Sequence, residues 1–184
     1  MTNLESLPNV LLMGPGPSCV PDEVYGALSR PTLGHLDPVF LQIMDEIKEM
    51  LFKVFQAPEG GLTIPLSGTG SSGMEAAFAN IIEPGDKVLI LNNGVFGMRM
   101  VDVAGRLGAE VDALDFEWGT PVEVADVAAK LQEGGYKMVG VVHAETSTGV
   151  ANPVAEIGAL LDGIEPRPLF LVDCVTSLGG MKVD

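Results

Sequence analysis

Cysteine is scarce in this sequence, and its scarcity excludes two common ways of stabilising a fold. Only Cys19 and Cys174 are present, far apart and without the CxxC spacing of a metal or redox motif. A disulfide framework or a structural zinc site needs several cysteines at short, regular intervals. We therefore expect neither a disulfide scaffold nor a bound metal.

Basic residues and long apolar runs are also few. The chain has 10 Lys and Arg against 25 Asp and Glu, which gives a formal net charge of −15. This balance excludes a nucleic-acid binder and a polybasic membrane anchor, because both need clustered positive charge. No apolar run approaches the roughly 18 residues of a membrane span, and the N-terminus lacks the basic and apolar regions of a signal peptide. We expect a cytoplasmic protein with neither a nucleic-acid nor a membrane partner.

The composition is that of a globular domain, with 47% hydrophobic and 19% charged residues. From Pro65 onward, short apolar runs alternate with longer amphipathic stretches, a pattern typical of βαβ units on a mostly parallel sheet. The predicted strands lie near residues 62–66, 87–91, 110–114, 137–142 and 168–172. The last two are apolar on both faces, so we predict that they are central strands covered by helices on both sides. The expected fold class is α/β, in three α/β/α layers.

Local start signals mark the helices. Asp37 and Pro38 provide an N-cap side chain and a proline at the first helical position, which predicts a long helix ending near Phe55. Residues 120–123 (TPVE) resemble a capping box that opens another helix, which residues 134–135 (GG) end. The first 60 residues are otherwise rich in Gly and Pro. We interpret them as an arm with the first long helix.

The strongest functional signal is the glycine-rich segment 67–73 (SGTGSSG), which follows a predicted strand and opens a helix. Such a turn presents free backbone N–H groups at the positive end of a helix dipole, so it binds an anion, usually phosphate. Gly68, Gly70 and Gly73 also satisfy the GxGxxG pattern of a nicotinamide dinucleotide site. That site needs an acidic residue at the end of the next strand, where this chain has two asparagines (92–93). An NAD(P)-dependent oxidoreductase is kept as an alternative.

Further candidates follow other predicted strands. Asp173 follows the last strand, at the edge of a parallel sheet where ligands bind, and is placed either to hold a cationic ring nitrogen or to cap the next turn. The cluster 143–149 (HAETSTG) ends at the same edge. We interpret His143 as a hydrogen-bonded or core residue rather than a general base, and Glu145 as a solvated loop residue. Phe96, just past the second strand, covers either a planar cofactor or part of the core.

A phosphate cradle, an aromatic residue and a carboxylate for a ring nitrogen are the protein groups that pyridoxal phosphate requires. Four further motifs carry a resemblance to a known family: residues 14–18 (GPGPS), 34–38 (GHLDP), 43–48 (IMDEIK) and 172–180 (VDCVTSLGG). In combination they resemble the fold-type I, class V aminotransferases. Within that family the chain is most similar to the alanine-glyoxylate and serine-glyoxylate (serine-pyruvate) aminotransferases, of which it resembles the N-terminal part.

The resemblance implies a pyridoxal 5′-phosphate site built from Gly70, Ser71, Ser72, Phe96, Thr146 and Asp173. Gly70 and Ser71 would bind the cofactor phosphate through their N–H groups, with the next serine alongside. Phe96 would stack on the pyridine ring, and Thr146 would bond near the phenolic oxygen. Asp173 would keep the ring nitrogen protonated, so that the ring accepts electrons when the substrate loses its α-proton.

The same resemblance implies ping-pong transfer of an amino group from a small amino acid, such as serine or alanine, to a 2-oxo acid such as glyoxylate or pyruvate, by a homodimer. Residues 61–184 would be the first part of the large cofactor-binding domain. We expect the Schiff-base lysine and a small C-terminal domain to lie beyond Asp184, so Lys182 is not expected to be the nucleophile. A fragment of this kind would be inactive alone. A non-catalytic binding module stays open as an alternative.

Overall fold

The structure is a computed structural model that describes residue 3 and residues 6–183. The helices in this part of the chain are α1 (Asp22–Leu28), α2 (Pro38–Val54), α3 (Gly70–Ile81), α4 (Val95–Arg106), α5 (Val124–Leu131) and α6 (Val154–Leu161). The strands are β1 (Lys87–Asn92), β2 (Glu110–Asp115), β3 (Met138–Val142), β4 (Ala144–Glu145), β5 (Val150–Ala151) and β6 (Leu169–Asp173). Of these helices, none combines the length and the apolar character that crossing a membrane would take. The chain divides into two compact units, the first ending at Met50 and the second beginning at Leu51.

The N-terminal unit contains an extended segment, α1 and most of α2. Helix α2 begins as predicted, because the Asp37 carboxylate accepts a hydrogen bond from the Val39 N–H at 2.8 Å and Pro38 occupies the first helical position. The helix ends at Val54, next to the predicted end. No residue of α1 or α2 is buried, although both helices carry apolar side chains.

Four parallel strands form the sheet of the second unit, in the order β2-β1-β3-β6. Strand β1 pairs with β2 on one side and with β3 on the other, and β3 also pairs with β6. Because every pairing in this sheet is parallel, the carboxyl ends of its strands lie at one edge. The short strands β4 and β5 pair with each other in antiparallel orientation and follow β3 in the chain. The predicted parallel α/β class is confirmed.

The sheet separates two hydrophobic clusters, because successive residues of a strand point to opposite faces. Leu89 and Leu91 of β1 pack with residues of α5 and α6. Val88 and Ile90, which alternate with them, pack with residues of α3 and α4. Each face is therefore covered by a pair of helices, which confirms the predicted three layers.

One predicted strand is absent, and the predicted central position of another is wrong. Residues 62–66 form no strand: Leu62 and Ile64 are 75% and 63% exposed, and Pro65 has no N–H to offer a neighbouring strand. Strand β6 lies at an edge of the described sheet rather than at its centre, since its pairing there is with β3 alone. Its first residue, Leu169, is half exposed. A run that is apolar on both faces therefore does not distinguish this edge strand from β3, whose residues are all buried.

Helix α5 begins later than predicted. It starts at Val124, and the TPVE segment before it is not helical. The Thr120 carbonyl accepts a hydrogen bond from the Asn93 side chain at 2.8 Å. The Val122 N–H donates to the Asn152 side-chain oxygen at 3.0 Å. These buried amides come from distant parts of the chain and hold the segment outside the helix, so the predicted capping box is wrong.

Candidate functional site

A cavity of about 150 Å³ lies at the carboxyl edge of the sheet. Its lining includes five of the six residues predicted for the site, namely Gly70, Ser71, Phe96, Thr146 and Asp173. Thr69 also lines it, and apolar side chains complete the wall. The fold therefore brings together residues from α3, α4 and the ends of β3 and β6.

Helix α3 contributes its N-terminus to this cavity. The Thr69 hydroxyl caps the helix by accepting a hydrogen bond from the Ser72 N–H at 3.3 Å, and the Thr69 carbonyl accepts from the Gly73 N–H at 3.1 Å. The N–H groups of Gly70 and Ser71 belong to earlier residues of the helix than these two donors. Neither has an acceptor among the described residues. Two free N–H donors at the positive end of a helix dipole are an arrangement that suits an anion.

The structure places Ser72 differently from the other predicted residues. Ser72 does not line the cavity. Its hydroxyl lies 3.2 Å from the Thr69 Oγ1 atom, and its N–H is bonded to the same atom. Thr69 belongs to the glycine-rich segment 67–73 but not to the six residues predicted to bind the cofactor, although a hydroxyl residue directly before the first helical residue is a favoured N-cap.

Asp173 ends β6 with one side-chain oxygen already bonded. Its Oδ1 accepts a hydrogen bond from the Val175 N–H at 3.0 Å, so the carboxylate does cap the next turn. Among the described residues, none donates a hydrogen bond to Oδ2, and Asp173 lines the cavity. Burial and, secondarily, the charge of Asp173 raise the pKa of the neighbouring Cys174 thiol, which keeps that thiol neutral.

Thr146 joins two loops of the site. Its hydroxyl is hydrogen-bonded to the hydroxyl of Thr176, in the turn after β6. The turn between β4 and β5 is therefore connected to the loop after β6, beside Asp173. Thr176 has no signal in the sequence that predicts this contact, because the two threonines are 30 positions apart.

Glu145 is fully buried, so its interpretation as a solvated loop residue is wrong. Its carboxylate accepts hydrogen bonds from the Gly97 N–H at 3.2 Å and the Phe96 N–H at 3.4 Å. The Ser147 hydroxyl donates to it at 2.7 Å. A negative charge at the start of α4 also interacts favourably with the helix dipole. A Cβ atom at Gly94 would overlap the carboxylate, so the close approach requires glycine there.

His143 is buried and does not line the cavity, as expected of a core residue. Its backbone N–H donates to the Asp173 carbonyl at 2.8 Å. Its Nδ1 atom has no hydrogen-bond partner among the described residues. Lys182 lines neither this cavity nor the adjacent apolar one of about 370 Å³. Within the described part of the chain, no three or more His, Cys, Asp or Glu residues are grouped so that they could hold a metal ion.

The donor set of the cavity fits a phosphorylated, cationic, planar molecule. Free N–H groups and hydroxyls at the start of α3 suit a phosphate. The half-exposed Phe96 ring suits a planar ring, and the Asp173 carboxylate suits a protonated nitrogen. These are the groups through which a protein binds pyridoxal phosphate.

Comparison with known families agrees with this chemistry. The family model for class-V aminotransferases matches residues 22–184. The chain belongs to the class-V aminotransferase family. Among curated relatives of this aminotransferase chain, the (S)-ureidoglycine–glyoxylate transaminase of Bacillus subtilis is 40% identical over 94% of the chain and 41% of its own length. The alanine–glyoxylate aminotransferase of Mus musculus is 39% identical over 97% of the chain and 42% of its own length.

A solved structure shares the fold of this class-V aminotransferase chain closely. The crystal structure of an alanine–glyoxylate aminotransferase from Nostoc sp. superposes with a TM-score of 0.91 at 44% identity, covering 100% of the chain and 48% of the Nostoc protein. The chain thus spans less than half the length of the relatives it matches. The resemblance to the N-terminal part of this family is confirmed.

The family assignment also decides against the nicotinamide alternative. A dinucleotide-binding loop of this kind directly follows a strand, and residues 62–66 form none. The Asn92 side chain, at the end of β1, donates to the Asp115 carboxylate at 2.6 Å and accepts from the Gly94 N–H at 3.3 Å. It is therefore occupied within the fold rather than available to a ribose.

Proposed function

We propose that this chain is the cofactor-binding part of a pyridoxal 5′-phosphate-dependent aminotransferase. The observation that carries the proposal is one cavity in which Gly70 and Ser71, with their free N–H groups, meet the Phe96 ring and the Asp173 carboxylate. An anion site, an aromatic face and a carboxylate are what a phosphorylated pyridine needs. Membership of the class-V family supports the same cofactor.

Each residue of the proposed site binds one part of the cofactor. The N–H groups of Gly70 and Ser71, with the hydroxyls of Thr69 and Ser71, bind the phosphate. Phe96 stacks on the pyridine ring, and Thr146 donates to the phenolic oxygen. Asp173 accepts a hydrogen bond from the ring nitrogen.

The bound cofactor would supply an electron sink for the electrons that the substrate Cα–H bond releases. The part of Asp173 in this chemistry is electrostatic. A carboxylate beside the ring nitrogen raises the pKa of that nitrogen and keeps its proton in place. The Val175 N–H fixes the orientation of the Asp173 carboxylate. The protein residues therefore orient the ring and hold one proton.

We propose a 2-oxo acid such as glyoxylate or pyruvate as the amino acceptor and a small amino acid such as serine or alanine as the donor. The support is the chemistry named for two relatives, which transfer amino groups to glyoxylate from alanine and from ureidoglycine. Both named donors are small. The cavity walls of this chain alone do not include a cation for the substrate carboxylate.

We propose further that residues 1–60 form an arm with the first long helix, and that residues 61–184 form the first part of the large domain. The whole protein would add a small domain and the lysine that binds the cofactor covalently, and would act as a homodimer. The share of the relatives that this chain covers supports the added domain. Exposed apolar side chains of the N-terminal unit, such as Leu11 and Met13, support the homodimer.

Ligand binding tests the proposed cofactor. Pyridoxal phosphate should raise the melting temperature of the full gene product under conditions in which NAD and NADH leave it unchanged, because a ligand selective for the folded state stabilises it. With alanine or serine and glyoxylate, the loaded protein should form glycine, detected by chromatography. Stabilisation by NADH alone would contradict the proposal. Binding of pyridoxal phosphate without transfer from any small amino acid would favour a non-catalytic module.

The variant Asp173→Asn tests the role of the charge. Asparagine keeps a carbonyl oxygen for the Val175 N–H, so the turn is preserved while the charge is lost. We expect retained cofactor binding and a rate of glycine formation about 10- to 1,000-fold lower, the effect of a 1–3 unit fall in the pKa of the ring nitrogen. Asp126→Asn, at an exposed position of α5, is the control. Near wild-type turnover of Asp173→Asn would remove Asp173 from its role.

A further inference from the structure

Arg99 contacts two residues of the proposed cofactor site that belong to different helices. Its Nη1 atom donates a hydrogen bond to the Ser71 hydroxyl at the start of α3. Its guanidinium carbon lies 5.3 Å from the centre of the Phe96 ring, one turn earlier in α4. Arg99 does not itself line the cavity. It therefore acts on the site through these two neighbours.

A guanidinium group suits this position because it is planar. It packs on an aromatic face while its edge donates hydrogen bonds, a combination that an ammonium group does not offer. The Ser71 oxygen accepts from Arg99, so the hydroxyl hydrogen stays available for another acceptor. Hydrogen bonds in series polarise one another, so a hydroxyl that accepts from a cation is a better donor. The arrangement prepares Ser71 to donate to an anion.

Charge gives Arg99 a second effect. The chain carries a formal net charge of −15, and a phosphate monoester adds about −1.5 to −2 at neutral pH. Arg99 brings a positive charge to within one hydrogen bond of a residue that lines the anion site. This charge offsets part of the repulsion that a dianion meets in an acidic protein.

We infer that Arg99 is a positioning residue that makes the site selective for a phosphorylated pyridine over the unphosphorylated one. Through Ser71 it orients a donor toward the phosphate, and through Phe96 it fixes the aromatic face on which the ring stacks. The inference rests on the proposed function, because it concerns the same cavity.

Binding measurements test this inference on the full gene product. Dissociation constants for pyridoxal phosphate and for pyridoxal are measured by absorption and fluorescence in the wild type, Arg99→Met, Arg99→Lys and the control Arg106→Met. Arg106 is also on α4, but it pairs with Asp102 and lies outside the cavity lining. Arg99→Met should weaken pyridoxal phosphate about tenfold, the effect of one lost charge-assisted hydrogen bond. The dissociation constant of Arg99→Lys should fall between those of the wild type and Arg99→Met. Arg106→Met should change the constant by less than about twofold.

Selectivity separates positioning from general stability. Arg99→Met should weaken pyridoxal less than pyridoxal phosphate, so the ratio of the two constants should fall. In addition, Ser71→Ala should weaken the phosphorylated ligand in the wild type and have little further effect in the Arg99→Met background, because the two residues act as a unit. If Arg99→Met does not fold, the same ratio measured in Arg99→Lys and Ser71→Ala decides.

Three results would overturn the inference: an Arg99→Met constant equal to that of Arg106→Met, an equal loss for both ligands, or full additivity with Ser71→Ala. A wild type that binds no pyridoxal phosphate would instead refute the proposed function. The two failures are therefore distinguishable.

Discussion

At the scale of single residues, the buried Glu145 carboxylate organises one wall of the candidate site. It accepts hydrogen bonds from the Phe96 and Gly97 N–H groups in the first turn of α4 and from Ser147, beside Thr146. The bond to Glu145 therefore fixes the backbone of Phe96, and the Arg99 guanidinium packs against the Phe96 ring. A charge with several donors is tolerated in the interior, because each hydrogen bond offsets part of its desolvation.

Replacing this charge by a neutral amide tests its importance. In Glu145→Gln, an NH₂ group faces the N–H donors of α4, so at least one of them loses its acceptor. We expect a loss of about 2 kcal/mol in the free energy of unfolding, measured by urea denaturation, and a weaker affinity for pyridoxal phosphate. Glu117→Gln, at an exposed loop position, serves as the control. Equal stability of the two variants would show that the carboxylate has no such role.

At the scale of elements, charged side chains hold β1, β2 and α5 together at the opposite end of the sheet. The Tyr136 hydroxyl donates to the Asp112 carboxylate of β2 at 2.5 Å. The ammonium groups of Lys87 and Lys130 lie 3.4 and 3.3 Å from the same carboxylate. These interactions, led by the hydrogen bond from Tyr136, lower the pKa of Asp112 below its ordinary value. Burial and the bond to Asp112 raise the pKa of the Tyr136 phenol.

The Asp112 network predicts a dependence of stability on pH. Because the pKa of Asp112 is lower in the folded state, its stabilising effect is complete above the unfolded pKa of 3.8 and is lost as the pH falls through the folded value. Asp112→Asn should lower the melting temperature at pH 7, with a cost of about 1 kcal/mol because a third of the side chain is exposed.

The difference between wild type and Asp112→Asn should shrink when melting is measured at progressively lower pH below 3.8. The control is Asp102→Asn, which removes a partner from an exposed ion pair with Arg106 and should matter less. A difference that stays constant down to strongly acidic pH would contradict the assigned cause.

At the scale of the whole molecule, exposed apolar surface and negative charge have opposite effects on association between copies of the chain. Several side chains of the extended N-terminal segment are exposed and apolar, including Leu11 at 75% and Met13 at 85%. Exposed apolar side chains that are close together in the sequence favour association between copies of the chain. The net charge of −15 opposes it, since two copies repel each other.

The proposed homodimer follows from the first effect. Light scattering on the full gene product should give twice the mass of one chain, and added salt should strengthen the dimer by screening repulsion. The double variant Leu11→Glu, Met13→Glu should raise the dissociation constant at least about tenfold, since each side chain loses a buried apolar contact. Gln132→Glu, at an exposed position after α5, adds charge without removing apolar surface and should have a smaller effect. A monodisperse monomer for the wild type would refute the dimer.

Signals that are local in the sequence were sufficient for much of the fold and for the location of the candidate site. The N-cap and proline of α2, the glycine-rich turn before α3 and the alternation of apolar runs depend on residues a few positions apart, and they predict parallel strands with helices between them. Once the sheet is parallel, topology places Asp173 and Thr146 at the same edge. The six site residues themselves were implied by the family resemblance, and five of them line one cavity.

The features decided only by the tertiary structure depend on contacts between distant residues. Two buried amides prevent the TPVE segment from joining α5, and the burial of Glu145 depends on donors 48 and 49 positions away. The link from Arg99 to Ser71 spans 28 positions. Apolar runs identify strands but not their neighbours, so the edge position of β6 was not predicted. Sequence patterns report local conformation and burial, whereas hydrogen bonds between separate elements exist only after the sheet has brought those elements together.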